Sequence, residues 1–172
     1  MLREAIASDA VFFVENPAEF LETYCLRRRA PDDVSILVLN FIQSQRWTIE
    51  PGDWHAARRA RREFVASLEA AGSAQSDIKA AELIFGELTA NVAQHAAGMI
   101  DIALDWNAKN AVLHVIDRGE GYATGERTEP GDLPTERGRG LWLVGRLGAQ
   151  LSVEILPGFG THVRAVLPVC QA

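Results

Sequence analysis

Cysteine is scarce in this 172-residue chain: Cys25 and Cys170 stand far apart, with no ligand-type neighbours at metal-binding spacing. A zinc ribbon and a disulfide framework are both excluded as organising devices. Lysine occurs only at Lys79 and Lys109, and neither follows a glycine-rich turn, which excludes a Walker-type phosphate loop. No apolar run approaches the roughly 18–20 residues that span a bilayer. The N-terminus carries Arg3, Glu4, Asp9 and Glu15 and lacks the pattern of a signal peptide. An excess of positive charge is also missing: 17 Lys and Arg face 23 Asp and Glu, a net charge of -6, so no basic nucleic-acid footprint is expected. What is present is ordinary globular composition, 48% hydrophobic and 23% charged, at a length that suits one domain with an appendage. The expectation is a cytoplasmic protein with neither a membrane nor a nucleic acid as direct partner.

The pattern changes near residue 45. Before it, Asn16-Pro17 reads as a helix start, with a helix over about Ala18–Arg29 that Pro31 breaks. Val34–Ile42 (VSILVLNFI) reads as a strand. After it, Trp47–Ile49 is a short strand. A helix over Trp54–Ala71 carries Ala57, Ala60, Phe64, Leu68 and Ala71 on one face, and Arg58, Arg59, Arg61 and Arg62 line the rest. Gly72 stops it. A second helix spans about Asp77–Ala97, with Ser76 as candidate cap. Ile100, Ile102, Leu104 and Trp106 then alternate with polar or small residues, and Ala111–Ile116 pairs back as a hairpin. Residues 119–138, rich in Gly, Pro and charge, read as a loop. A short helix over Gly140–Leu147 and a hairpin of Leu151–Leu156 with Thr161–Leu167 complete the chain. Domain limits of 1–45 and 46–170 follow. The fold class is α+β: a two-layer α/β sandwich, helices on one face of a mixed, mostly antiparallel sheet.

On the second helix, Ile78, Ala81, Phe85, Leu88, Val92 and Ala96 form an apolar face, and Glu87, Asn91 and His95 form a polar stripe at its edge. Such a stripe is either a solvated helix edge or a partly buried set of groups that needs partners. Asp117 closes a strand and is followed by Gly119 and Gly121, where backbone could approach a flat ligand. Gly138-Arg139-Gly140-Leu141 opens the third helix, whose first amides could bind phosphate. Taken singly, each glycine motif serves a simple turn equally well, and Gly160-Thr161 reads as a turn by itself. His55, without an acidic neighbour or a later proline, reads as a surface or cap histidine rather than a phosphoacceptor. The basic runs Arg27–Arg29 and Arg58–Arg62 read as solvated faces or a protein-docking surface.

The order and spacing of these motifs resemble the Bergerat-fold ATPases (the HATPase or GHKL family of gyrase, histidine kinases and MutL). Glu87 to His95 looks like the N box, Asp117-Arg118-Gly119-Glu120-Gly121 like the first glycine box, and Gly138-Arg139-Gly140 like the second. The likeness covers about Trp47 to Pro168 and is strongest to the anti-sigma-factor serine/threonine kinases. It implies ATP and Mg2+ as cofactors. Glu87 would be the general base, Asn91 the magnesium ligand, and Asp117 the partner of the adenine amino group. Gly119 and Gly121 would lie by the adenine. Gly138, Arg139, Gly140 and Leu141 would cradle phosphates, and Thr161 would sit near the pocket. The role of His95 stays open, with a structural hydrogen bond as the simpler assignment. Residues 122–137 would be the ATP lid. The resemblance further implies partners, an anti-anti-sigma (antagonist) protein and/or a sigma factor in a partner-switching circuit, and a homodimer. The rival expectations are a regulatory module that binds ATP without phosphotransfer and an orphan histidine-kinase catalytic domain.

The first 45 residues lie outside that pattern. Arg29-Ala30-Pro31-Asp32-Asp33 and the apolar run behind it resemble the C-terminal end of stage II sporulation-type metal-dependent serine phosphatases. The alternative is that Asp32-Asp33 is only a turn. Two adjacent carboxylates cannot by themselves hold a binuclear metal site, so no phosphatase activity is expected. The apolar segment is expected to pair with the ATPase sheet or with a second subunit.

Overall fold

The computed structural model describes residues 45–95, 98–107, 109–118, 139–156 and 160–172. The helix and strand expected before residue 45, the turn or metal pair Asp32-Asp33, the loop of residues 119–138, and Gly119, Gly121 and Gly138 lie outside them.

Among the described residues five strands form one antiparallel sheet: β1 (Gln45–Ile49), β2 (Ile100–Asn107), β3 (Asn110–Asp117), β4 (Gln150–Leu156) and β5 (Gly160–Cys170). Their order across the sheet is β1-β2-β3-β5-β4, so β5 lies between β3 and the edge strand β4. The hairpin β2–β3 pairs Ile100 with Asp117 at one end and Asn107 with Asn110 at the other. β5 pairs with β3 through Val115↔Val163 and Ile116↔His162. Among the described residues three helices, α1 (Trp54–Ala71), α2 (Ile78–His95) and α3 (Arg139–Arg146), lie on one side. The predicted class, α+β with helices on one face of a mixed, mostly antiparallel sheet, is the class observed, and every pairing among the described strands is antiparallel.

Period-two alternation explains the sides. Ile100, Ile102, Leu104, Leu113, Val115, Val163 and Ala165 point toward the helices and belong to the core. They meet Phe64 and Leu68 of α1 and Ile84, Phe85 and Leu88 of α2, all buried. Phe64 links the layers: its ring lies 4.8 Å from Phe85 and meets Trp47 edge-on at 6.4 Å. Burial of each such side chain contributes about 1.5–3 kcal/mol. Ile84 and Ala80 are buried as well, so the apolar face of α2 is wider than the sequence stripe.

Local chemistry sets the helix ends. Asp53 caps α1, its carboxylate accepting from the amides of His55 at 3.0 Å and Ala56 at 2.9 Å. Gly72 ends α1 with φ at -81°, an ordinary conformation. Glycine is needed there for close approach, because a Cβ would stand 2.6 Å from the Leu68 carbonyl oxygen. The expected cap of α2 is corrected. Asp77 performs it, accepting from the Ala80 amide at 2.9 Å. The Ser76 hydroxyl turns instead to the Cys170 backbone, at 3.1 Å to its carbonyl and 3.0 Å from its amide. The third helix begins at Arg139 and ends at Arg146, one residue earlier at each end than expected. Among the described residues no helix is long and apolar enough to cross a membrane.

Candidate nucleotide site

The polar stripe of α2 faces the start of α3. Glu87 and Asn91 stand one turn apart, about 6 Å along the axis, and each is half-buried. Gly140, in the first turn of α3, lies directly against both. A Cβ on Gly140 would be 3.0 Å from Glu87 Oε2 and 3.1 Å from Asn91 Nδ2. Any larger residue would push into the carboxylate and amide. Glycine therefore lets the helix mouth, with its inward amides, close to within van der Waals reach of the stripe. For Glu87 and Asn91 the solvated-edge reading is set aside by this contact.

At the neighbouring strand ends lies a second cluster. Asp117 ends β3 and is 5% exposed, and Thr161, 1% exposed, is the second residue of β5. One step beyond the pair Ile116↔His162 the two strands bring Asp117 and Thr161 side by side. Gly160 holds a left-handed φ of +146°, and a Cβ there would fall 1.9 Å from the Asp117 carbonyl oxygen and 2.7 Å from its Oδ1. No side chain fits that space. The sequence reading assigned Gly160 to a turn and missed its part in shaping the site. The only local signal was a glycine placed directly before Thr161 at a strand start.

Two polar atoms here are buried and without a hydrogen-bond partner among the described residues: Asn91 Nδ2 and Thr161 Oγ1. A buried polar atom left unpaired costs about 1–3 kcal/mol, so each calls for an explanation, of which a bound group is one. A nucleotide suits the set. Asp117 can accept from an exocyclic amine, the α3 amides suit phosphate oxygens, and the Asn91 amide can both donate and offer a hard oxygen. The structure sets Glu87 and Asn91 against Gly140, and Gly160 against Asp117. The backbone of His95, Arg139 and Leu141 is described at the ends of α2 and α3, while their side chains lie outside the description.

The chain matches the family model "Histidine kinase-like ATPase domain" over residues 51–167. It belongs to that family. An ATPase domain takes ATP. No curated protein matches. Among solved structures 28 chains match. One of them is ShkA, described as the full-length protein in complex with AMPPNP. It matches at 17% identity and a TM-score of 0.49, over 90% of this chain and 36% of that one. The present chain therefore spans about a third of that protein's length.

On the sheet face away from the helices, polar groups of another kind are buried. Asp101, 2% exposed, accepts from Thr48 Oγ1 at 2.9 Å and pairs with the Arg118 guanidinium at 3.0 Å. His114 and His162 stack at 5.2 Å between centroids, with Nδ1 and Nε2 3.0 Å apart. Burial, then His162 and Arg164, push the His114 imidazole down to about 2. Burial and then Arg164 push His162 down to about 4. Both rings are neutral at pH 7. Neither histidine stands in a motif, and only the β3–β5 register brings them together.

Proposed function

We propose that this chain is an ATP- and magnesium-dependent serine/threonine protein kinase of the anti-sigma-factor type, acting on an antagonist protein in a partner-switching circuit. The observation that carries the reading is the contact of Gly140 with Glu87 and Asn91. It sets a carboxylate, a hard amide oxygen and a helix N-terminus around one small volume. Phosphoryl transfer asks for little more than positioning, charge neutralisation and a proton acceptor. Magnesium would supply the charge neutralisation on the triphosphate, and it needs few protein ligands because it keeps several waters. Asn91 would hold it. Glu87 would take the proton of the acceptor hydroxyl. Asp117 would fix the adenine and Thr161 would bond at the pocket edge. Gly119, Gly121, Gly138, Arg139, Leu141 and His95 complete the proposed binding set on the strength of the motif resemblance.

The partners would be a sigma factor and its antagonist, the acting unit a homodimer, and the compartment the cytoplasm. The test is calorimetric titration with magnesium-ATP, then transfer of γ-labelled phosphate to a serine of a candidate antagonist. Binding and transfer are both expected. Glu87→Ala should keep ATP and lose transfer, and Asp117→Asn should lose most nucleotide affinity. ATP binding without transfer to any candidate, and without effect of Glu87→Ala, would reduce the chain to a regulatory module. Acid-labile phosphate on a histidine would point to the histidine-kinase reading instead. Unchanged ATP affinity in Asp117→Asn would remove the pocket assignment.

A further inference from the structure

The other flank of α2 borders a hollow that nucleotide chemistry does not use. It has a volume of about 560 Å3 and lies between α2 and the first half of α1, above the sheet end where Ile49 pairs with Ile100. Its floor is apolar, with Ile49, Ile100 and Phe85 at the bottom. The α2 wall carries mostly small side chains: Gly86, Ala90 and Ala93 follow one another at helical spacing along it, beside Gln94 and Thr89, whose hydroxyl donates to the Phe85 carbonyl of its own helix. A Cβ on Gly86 would meet nothing within 4 Å, so this wall opens into the hollow. The opposite wall is α1, with Trp54 at the rim, 74% exposed.

Charge is distributed unevenly around the rim. The acidic groups, Glu50 and Asp53, sit at the turn before α1, and the Asp53 carboxylate is already engaged by the amides of His55 and Ala56. Further along α1 the rim is basic. Arg58 and Arg61 line it, and Arg59 and Arg62 extend the positive surface outward. Arg61 pairs with Glu82 at 2.9 Å. Arg58, Arg59 and Arg62 have no carboxylate at ion-pair distance among the described residues. Small-molecule sites carry a few polar groups aimed inward. Here the charged groups come from α1 and the turn before it, the Thr89 hydroxyl is spent on its own helix, Gln94 is uncharged, and Ile49, Ile100 and Phe85 offer hydrocarbon. That division matches the helix-in-groove mode, in which apolar anchors enter and flanking charges stay at the edge.

We propose that this hollow is a docking groove for an acidic amphipathic helix of a partner protein. Its apolar anchors, spaced three and four residues apart, would lie along Gly86, Ala90 and Ala93, and its carboxylates would face Arg58 and Arg62. The mostly small side chains of this wall allow the close helix approach that a Leu or Phe at these positions would block. The groove shares α2 with the nucleotide site but none of its ligating residues, so the inference stands without the kinase reading.

The test uses the full chain and two synthetic 18-residue peptides. Both carry Leu at helical spacing; one has Glu at the flanking positions and the other Lys. Fluorescence anisotropy of the labelled peptides reads binding. The Glu peptide is expected to bind, and the Lys peptide to bind at least about tenfold more weakly. Charge reversal by R58E with R62E should weaken the Glu peptide by about tenfold as well. Ala90→Trp, which fills an exposed wall, should abolish peptide binding while magnesium-ATP binding persists. Equal binding of the two peptides, or binding indifferent to both the charge-reversed and the filled variants, would overturn the proposal. So would failure of both peptides to bind, including failure because residues 1–44 of the chain itself occupy the groove.

Discussion

The protein buries polar side chains in two regions and completes their bonding in opposite ways. On the sheet face away from the helices, Asp101 is enclosed by its own chain: Thr48 donates to one oxygen and Arg118 to the other. Asn91 Nδ2 on α2 and Thr161 Oγ1 on β5 find no such partner among the described residues. A group satisfied within the fold stabilises and specifies the fold. A group left open near a cleft holds free energy that only a ligand can recover. The same residue classes are therefore closed within the fold in one place and left open in the other. The difference is read from what surrounds them.

Mutation can break this contrast, and the expected effects differ in size and sign. The largest belongs to Asp101→Ala, which strips a half-buried guanidinium of its charge partner. A loss of about 3 kcal/mol is expected, read as a lower urea midpoint at unchanged slope. Acid comes next. The two imidazoles have folded-state values below their ordinary 6.5, at about 2 for His114 and about 4 for His162. Below pH 6.5 the unfolded chain binds protons that the native state refuses. Their contribution is complete above pH 6.5 and is lost as pH falls toward 4 and beyond. Urea midpoints measured from pH 7.5 down to 4 should fall steadily, and His162→Gln should flatten that fall.

Smaller and opposite in sign is Asn91→Ala. Removing an unpaired buried amide should leave stability unchanged or raise it by up to about 1 kcal/mol. The same variant should lose the thermal stabilisation that magnesium-ATP confers on the unaltered chain, a combination that a structural asparagine would not show. The smallest effect is expected for Arg61→Ala. Its pair with Glu82 is solvent-exposed, so the change should stay within about 0.5 kcal/mol.

Much of the fold was legible because it is written at short range. Phe64, Leu68, Phe85 and Leu88 recur at helical spacing, and Ile100, Ile102 and Leu104 alternate, so both periods showed in single windows. The cap of α2 was misplaced because Ser76 and Asp77 are both good capping residues. The choice was made by the Cys170 backbone, 94 positions away, which engages the Ser76 hydroxyl. Of the candidate site residues, Glu87 and Asn91 share a face because they stand one helical turn apart, and Asp117 stands out at the end of its strand. Gly160 escaped because its reason for being glycine is the backbone of Asp117, a neighbour only in space. The histidine pair escaped for the same reason.

The chain's own order of residues thus settled element types, the apolar faces and which polar groups share a stripe, since these depend on neighbours within a turn or two. Tertiary structure alone decided which of those groups are completed internally and which stay open. That depends on β5 inserting beside β3 and on α3 crossing α2. Those placements juxtapose Gly160 with Asp117 and Gly140 with Asn91, and they follow from the packing of the whole sheet against its helices.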